Sequence, residues 1–224
     1  ERTVNSLKTI YYELQEIFTP SIYVTGKYMV IANKTNSTIY MFENKKEIFT
    51  KKIEGNISHV YINDDGNFAI EYSTGGHKKV VSVYSKRGKL IYNTYLEVSS
   101  IIDIKFFEGT KKLLIASSNT NSFNIGCELN IVEGGKETDN IKKVANFENN
   151  LIYDMVIKNN NVIVKLDNKI VNCSLSTGNI EVIRNFEESQ SLFNLIAENY
   201  YMYVDKKLGE NTNKYNINLL MFDN

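Results

Sequence analysis

The sequence predicts an all-β fold, a five-bladed β-propeller built from four-stranded antiparallel blades. Short segments rich in Ile, Val, Tyr and Phe alternate between apolar and polar residues. Clusters of Gly, Asn, Asp and Ser separate these segments about every 8 to 12 residues, which is typical of all-β domains. A unit of two strands around a turn also recurs five times in the 224 residues. A repeat at this spacing indicates propeller blades.

The first two strands of each blade form the clearest part of the repeat. They are SIYVTGKYMVIA from Ser21, HVYINDDGNFAIEY from His59, DIKFFEGTKKLLIAS from Asp103, DMVIKNNNVIVKL from Asp154 and NLIAENYYMYV from Asn194. Third strands are predicted at 39–42, 81–84, 129–132, 170–173 and 219–222. Fourth strands are predicted at 47–53, 89–96, 140–147 and 179–186. The blades then span about 17–56, 57–100, 101–149, 150–190 and 191–224 of one domain, residues 1–224.

The last blade lacks a fourth strand of its own, because the sequence ends soon after its third strand. Residues 6–14, SLKTIYYEL, resemble KLIYNTYLE at 89–97, which holds a predicted fourth strand. We therefore expect the N-terminal strand to pair into the C-terminal blade. This pairing would close the ring and remove the exposed strand edges of an open array.

Composition limits the classes of partner. Lys plus Arg and Asp plus Glu number 26 each, so the net charge is zero and no nucleic-acid partner is expected. The sequence contains no apolar run of about 18 residues, so no membrane span is predicted within it. Cys127 and Cys173 lack the spacing of a disulfide framework or a zinc site, and we expect both to be small buried residues. No metal or cofactor is predicted.

Three segments carry a resemblance to a known group of proteins. They are GKYMVIANKTNSTIYMF at 26–42, KKIEGNISHVYINDDGNFAIEY at 51–72 and KVVSVYSKRGKLIYNTYL at 79–96. They resemble clostridial proteins of unknown function in which a membrane anchor precedes an extracytoplasmic propeller. More distantly, YINDDGNFAI at 61–70 resembles the hairpins of WD-repeat, YVTN and TolB-type propellers. The first resemblance implies an extracytoplasmic protein of a Gram-positive bacterium, tethered through an anchor upstream of Glu1, and it implies no catalytic residues.

The first strand of a propeller blade lines the central channel, so polar residues on these strands are candidate ligand contacts. Alignment of the five strands places one polar residue in each: Ser21, His59, Asp103, Asp154 and Asn194. One interpretation is a polar ring that binds a ligand. The alternative is structural, because Ser, Asp and Asn side chains also bond to nearby backbone. A glycoside hydrolase would use Asp103 and Asp154 as its two carboxyls, but the set contains no Glu.

Loops between second and third strands offer a second candidate surface. The loops at 118–126 and 206–215 are long, whereas 167–169 is minimal. The candidate interaction residues are Asn119, Asn121, Phe123, Asn211 and Asn213.

Tyr200, Tyr201 and Tyr203 have two interpretations: a platform on which sugars stack, or core packing of the same rings. We expect a monomeric, non-catalytic module that binds a protein or cell-wall partner at the channel mouth. The alternative is a propeller that uses the polar ring to bind or hydrolyse a glycan, and a small polar ligand is also possible.

Overall fold

The computed structural model describes residues 20–75, 77–119, 126–134, 141–186, 191–197, 199–206 and 215–222. Their 19 strands form five sheets in which consecutive strands lie side by side. Sheet 1 contains β1 (Pro20–Thr25), β2 (Tyr28–Asn33), β3 (Thr38–Glu43) and β4 (Lys46–Lys52). Sheet 2 contains β5 (Asn56–Ile62), β6 (Phe68–Thr74), β7 (His77–Tyr84) and β8 (Leu90–Leu96). Sheet 3 contains β9 (Ser100–Phe106), β10 (Leu113–Asn119), β11 (Gly126–Val132) and β12 (Ile141–Glu148). Sheet 4 contains β13 (Ile152–Lys158), β14 (Asn161–Leu166), β15 (Lys169–Ser174) and β16 (Ile180–Asn185). Sheet 5 contains β17 (Ser191–Ile196), β18 (Tyr200–Lys206) and β19 (Tyr215–Met221).

The predicted all-β class and the four-stranded antiparallel unit are confirmed. Sheets 1 to 4 each have four strands, in the order that the sequence predicts. Sheet 5 has three strands among the described residues. The segment 6–14, predicted as its fourth strand, lies outside the described residues, so closure of the ring stays a prediction.

The chain divides into two compact units. The first contains residues 1–99, 106–114 and 132–141. The second contains residues 100–105, 115–131 and 142–224. Sheets 1 and 2 therefore belong to the first unit and sheets 4 and 5 to the second, whereas sheet 3 lies mostly in the second unit, with only end residues of its strands in the first.

The core of the first unit lies between sheets 1 and 2. Alternate residues of β2, β3, β5 and β6 point to this layer, as the period of a strand requires. Its buried members are Tyr28, Val30, Ala32, Ile39, Met41, Ile53, Ile57, Val60, Phe68, Ile70 and Tyr84. The Phe68 ring stacks on Tyr84 with ring centroids 5.3 Å apart. The apolar alternation that predicts the strands thus also builds the contact between these two sheets.

A second core joins sheets 4 and 5. Ile163 and Ile170 of sheet 4 pack with Ile196, Tyr201, Tyr203 and Phe222 at sheet 5. The Tyr201 and Tyr203 rings stack on each other at 5.4 Å, and the Phe186 ring meets Tyr203 edge-on. Tyr201 and Tyr203 are therefore core residues, as the packing interpretation predicts, and neither forms an exposed sugar platform. Cys127 and Cys173 are buried free thiols, which confirms the prediction for both.

Candidate functional site on the first strands

The five candidate polar residues all lie on the first strand of a sheet. They are Ser21 on β1, His59 on β5, Asp103 on β9, Asp154 on β13 and Asn194 on β17. A β-bulge directly precedes His59 and Asp154, where the register shifts after Ile57 and after Ile152. Beyond the bulge, His59 pairs with Glu71 and Asp154 pairs with Lys165. These two residues therefore occupy equivalent positions, each opposite a charged residue on the second strand.

Asp103 makes the same backbone hydrogen bond as Asp154. Its Oδ1 accepts from the N–H of Ile104 at 2.8 Å, and Oδ1 of Asp154 accepts from the N–H of Met155 at the same distance. Ile104 and Met155 are both buried. Each carboxylate is thus fixed against its own strand, which is the structural role that the sequence left open.

Ser21 and Asn194 fall outside this register. In β17 the shift lies between Ser191 and Phe193, so Phe193 takes the position after the bulge and Asn194 follows it. In sheet 1, Ser21 pairs with Ala32. Asn194 therefore does not occupy the position that His59 and Asp154 share, and β1 has no bulge against which Ser21 could be compared.

His59 belongs to a hydrogen-bonded network with a buried carboxylate. The Glu71 side chain is 2% exposed, and its Oε2 lies 3.0 Å from Nδ1 of His59. Nζ of Lys79 donates to Oε1 of Glu71, also at 3.0 Å. Because an ionised carboxylate only accepts, the hydrogen of this bond resides on Nδ1. The imidazole, 48% exposed, is held in one orientation with Nε2 left for a ligand.

Aromatic rings extend the first-strand surface from His59. The Tyr61 ring centroid lies 6.3 Å from that of His59, and Tyr23 of β1 lies 5.8 Å from Tyr61. Tyr61 is buried and Tyr23 packs against the core of the first unit. The two tyrosine rings therefore lie on one side of the imidazole, and His59 is the exposed member of this row of three rings.

Asp103 and Asp154 lie in the second unit, where the charge of Asp103 makes a small contribution to the electrostatics of Asp154. Nζ of Lys105 lies 2.9 Å from Oδ2 of Asp103. Burial raises the pKa of the Asp154 carboxyl, and the Asp103 charge raises it further, against the opposing effects of Lys105 and of the Met155 N–H. The net result is a pKa above the ordinary value. One carboxyl is thus ion-paired while its neighbour holds its proton more tightly.

Lys165 is a buried cation that sequence reasoning missed. Its amine donates to the carbonyl oxygen of Leu166 and lies 4.7 Å from the centre of the Phe186 ring and 5.9 Å from that of Tyr153. Burial lowers the pKa of this amine. Glu71 was missed in the same way. The sequence signal for Glu71 and Lys165 was a single charged residue within an otherwise apolar second strand, in AIEY and in VIVKL.

The loop candidates give less information. Asn121, Phe123, Asn211 and Asn213 lie outside the described residues, and Asn119 is described only as the last residue of β10. In the described ranges, no three or more His, Cys, Asp or Glu residues are grouped in a way that could hold a metal ion. No helix within those ranges is long and apolar enough to cross a membrane.

A comparison with known protein families shows which family the chain belongs to. Residues 3–223 match the profile described as "Family of unknown function (DUF5711)". The chain belongs to DUF5711. A search of curated protein sequences finds no significant match to it.

Solved structures similar to this DUF5711 chain support the propeller-like fold. Hsv2 of Kluyveromyces lactis matches with a TM-score of 0.56 and 12% identity, over 83% of this chain and 58% of Hsv2. Puromycin hydrolase, a β-propeller protein, matches with a TM-score of 0.56 and 9% identity, over 80% of this chain and 33% of the hydrolase. The chain thus spans less than two thirds of either protein. At these identities the likeness shows the fold alone.

The raised pKa of Asp154 predicts a pH-dependent effect of Asp154→Asn. An acid whose pKa is raised by folding destabilises the folded chain once it ionises. The cost is absent below the ordinary value of 3.8 and complete above the raised value. Asn keeps an oxygen that can accept from the Met155 N–H. We therefore expect the stability of Asp154→Asn relative to wild type to increase as pH rises through this window, measured by urea unfolding at several pH values. A pH-independent difference would contradict the assignment.

Proposed function

We propose that this DUF5711 chain is a non-catalytic interaction module, a closed five-bladed propeller that binds a protein or cell-envelope partner at the mouth of its channel. We further propose that it works outside the cytoplasm of a Gram-positive bacterium, tethered by an anchor that precedes Glu1. The propeller-like fold supports the module, since such folds present binding groups on rigid strands. The clostridial resemblance supports the location.

One observation carries the binding function: polar side chains on three first strands are fixed in orientation before any ligand arrives. Asp103 and Asp154 each bond to the next backbone N–H, and His59 bonds to buried Glu71. Recognition groups that are already ordered lose little conformational entropy on binding.

A glycan ligand is the second candidate, and Tyr153 favours it. This side chain is 61% exposed and directly precedes Asp154. An exposed aromatic ring beside carboxyl groups suits a sugar, because the ring stacks on the apolar sugar face while carboxylates bond to hydroxyls. The raised pKa of Asp154 next to Asp103 is also the type of asymmetry that glycoside hydrolases use.

A photocrosslinking amino acid at position 153 tests the proposal. We expect it to capture a protein from an envelope fraction, and the same group at Ile180 of β16 to capture little. Ile180 is a suitable control because it is 44% exposed and lies on the outer strand of the same sheet. Mass spectrometry of the adducts identifies the partner class.

The site itself is tested by adding Asp103→Asn and Asp154→Asn to the position-153 protein. We expect the crosslinked yield to fall at least tenfold if the two carboxylates contact the partner. Adducts of glycan rather than protein would favour the second candidate. Equal yields from positions 153 and 180, or an undiminished yield in the Asn variant, would refute binding at the first strands.

A further inference from the structure

Tyr153 carries an exposed aromatic ring whose orientation the sheet itself does not fix. The side chain is 61% exposed. The register of β13 shifts between Ile152 and Asp154, so Tyr153 is the bulged residue and has no partner on β14. A bulged residue lies outside the cross-strand pairs that hold most strand side chains. The orientation of this ring therefore depends on its side-chain contacts.

Lys165 supplies the one ring, ion or hydrogen-bond contact that the Tyr153 side chain makes among the described residues. Its Nζ lies 5.9 Å from the centre of the Tyr153 ring, within the range of a cation–π attraction. Lys165 pairs with Asp154, the residue after Tyr153, so the register of β13 and β14 brings amine and ring together. Lys165 is only 7% exposed, and the attraction is stronger where water is excluded.

The amine of Lys165 is held in place on its other sides. It donates to the carbonyl oxygen of Leu166, and the carbonyl oxygen of Asp167 lies 3.4 Å from it. The Phe186 ring is 4.7 Å from the same Nζ and packs edge-on against Tyr203 in the core of sheets 4 and 5. The ammonium therefore links a ring that packs on the core to a ring that is exposed.

Lys165 keeps its charge without an ion pair in the described part of the chain. Burial lowers the pKa of the amine, against the opposing effect of the Asp167 charge. Oδ1 of Asp167 accepts from Nδ2 of Asn150 at 2.9 Å. On β15 the residue that pairs with Lys165 is the apolar Ile170. The other titratable groups nearby are Tyr153 and Asp154 on β13, and Tyr201 and Tyr203 in contact with Phe186.

We infer that Lys165 is a positioning residue for Tyr153, because its ammonium holds the exposed ring in one orientation on the surface proposed to contact the partner. A large aromatic side chain that is ordered before binding loses less entropy on binding, and tyrosines often dominate the energy of interfaces. A neutral amine would release the ring, so its orientation depends on pH. The inference rests on the proposed function only for the role of Tyr153 in binding.

Tyr153→Trp provides a direct probe, because the chain contains no tryptophan. Labelled with fluorotryptophan, this variant gives one fluorine NMR resonance, whose position responds to a nearby charge. We expect the resonance to move as the pH rises, with a midpoint below 10.5, the ordinary pKa of lysine. Ile180→Trp is the matched control, since residue 180 lies on the outer strand of the same sheet and is 44% exposed. Its resonance is expected to stay in place over the same range.

Two substitutions of Lys165 assign the movement to its charge. Added to Tyr153→Trp, Lys165→Met should abolish the movement and leave the resonance near its high-pH position. Lys165→Arg keeps a charge that does not titrate and that also stacks on aromatic rings. It should hold the resonance near its low-pH position at every pH. A resonance that still moves with Lys165→Met would show that another group titrates beside the ring.

The fluorescence anisotropy of the indole at position 153 measures how freely it turns. We expect the anisotropy to fall in parallel with the movement of the fluorine resonance, to be low with Lys165→Met and to be retained with Lys165→Arg. An anisotropy that Lys165→Met leaves unchanged overturns the positioning role. If Lys165→Met does not fold, the pH series of Tyr153→Trp alone decides, since a constant anisotropy across the midpoint also overturns it. These measurements need no partner, so the inference and the proposed function fail separately.

Discussion

Replacement of Phe68 by alanine is expected to lower the free energy of unfolding by about 4 kcal/mol, within the usual cost of truncating a buried phenylalanine. The Phe68 side chain is fully buried. Its ring lies between Tyr84 of β7, at a centroid distance of 5.3 Å, and Phe49 of β4, at 6.0 Å. Alanine would leave a cavity between sheets 1 and 2 that the rings of Tyr84 and Phe49 cannot fill. The loss includes burial and the stacking of three rings.

Urea unfolding measures this loss, and Leu90→Ala is the matched control. Leu90 also lies in sheet 2, but its side chain is 42% exposed. Its truncation is expected to change the free energy of unfolding by only about 0.5 kcal/mol. A Phe68→Ala variant no less stable than Leu90→Ala would contradict the placement of Phe68 in the contact between the sheets.

The strands could be predicted because their signals are local. Alternating apolar residues and the Gly or Asn turns define β1 to β4 without any knowledge of the other sheets. The turn at Asp64, Asp65 and Gly66 is one example: the N–H of Gly66 bonds to the carbonyl of Asn63, and Gly66 has a φ of 81°, which glycine adopts without strain. Such features depend on a few neighbouring residues and are visible in the sequence.

The candidate site was harder to predict because β-bulges decide its register. The bulged residues are Ser58, Tyr153 and Leu192, which share no chemical property that a sequence pattern could detect. The sequence alignment places Asn194 in the set, whereas Phe193 is the residue that follows the bulge in β17. Glu71 was not predicted as a site residue for a different reason. Its role depends on Lys79, which lies on the next strand, β7.

Replacement of Lys79 by methionine is expected to lower the free energy of unfolding by about 3 kcal/mol, the usual result of removing one partner of a buried ion pair. Methionine keeps the apolar stem of the side chain and removes the ammonium. Among the described residues, the Glu71 carboxylate, 2% exposed, then keeps His59 as its side-chain partner. A buried carboxylate that loses a charged donor pays the desolvation cost without the compensating attraction.

The exposed pair of Lys27 and Glu43 gives the control for this prediction. Its two atoms are 2.7 Å apart, closer than the pair of Lys79 and Glu71, but its side chains are 51% and 32% exposed, against 2% for Glu71. Exposed ion pairs contribute little because water screens them. Lys27→Met should therefore leave urea unfolding unchanged within error. Equal effects of the two substitutions would show that Glu71 is hydrated in the folded protein.

The double variant Glu71→Met with Lys79→Met separates stability from positioning. We expect its free energy of unfolding to return to within about 1 kcal/mol of wild type, since apolar residues of similar volume often replace a buried ion pair without loss. His59, half exposed, can hydrate its free Nδ1. A recovered stability would mean that the fold does not require the ion pair. The remaining effect of the pair would be to fix the orientation of the imidazole. The nitrogen NMR spectrum of His59 would reveal this effect if the single tautomer of the wild type is lost in the double variant. A double variant less stable than Lys79→Met alone would instead assign the network to folding.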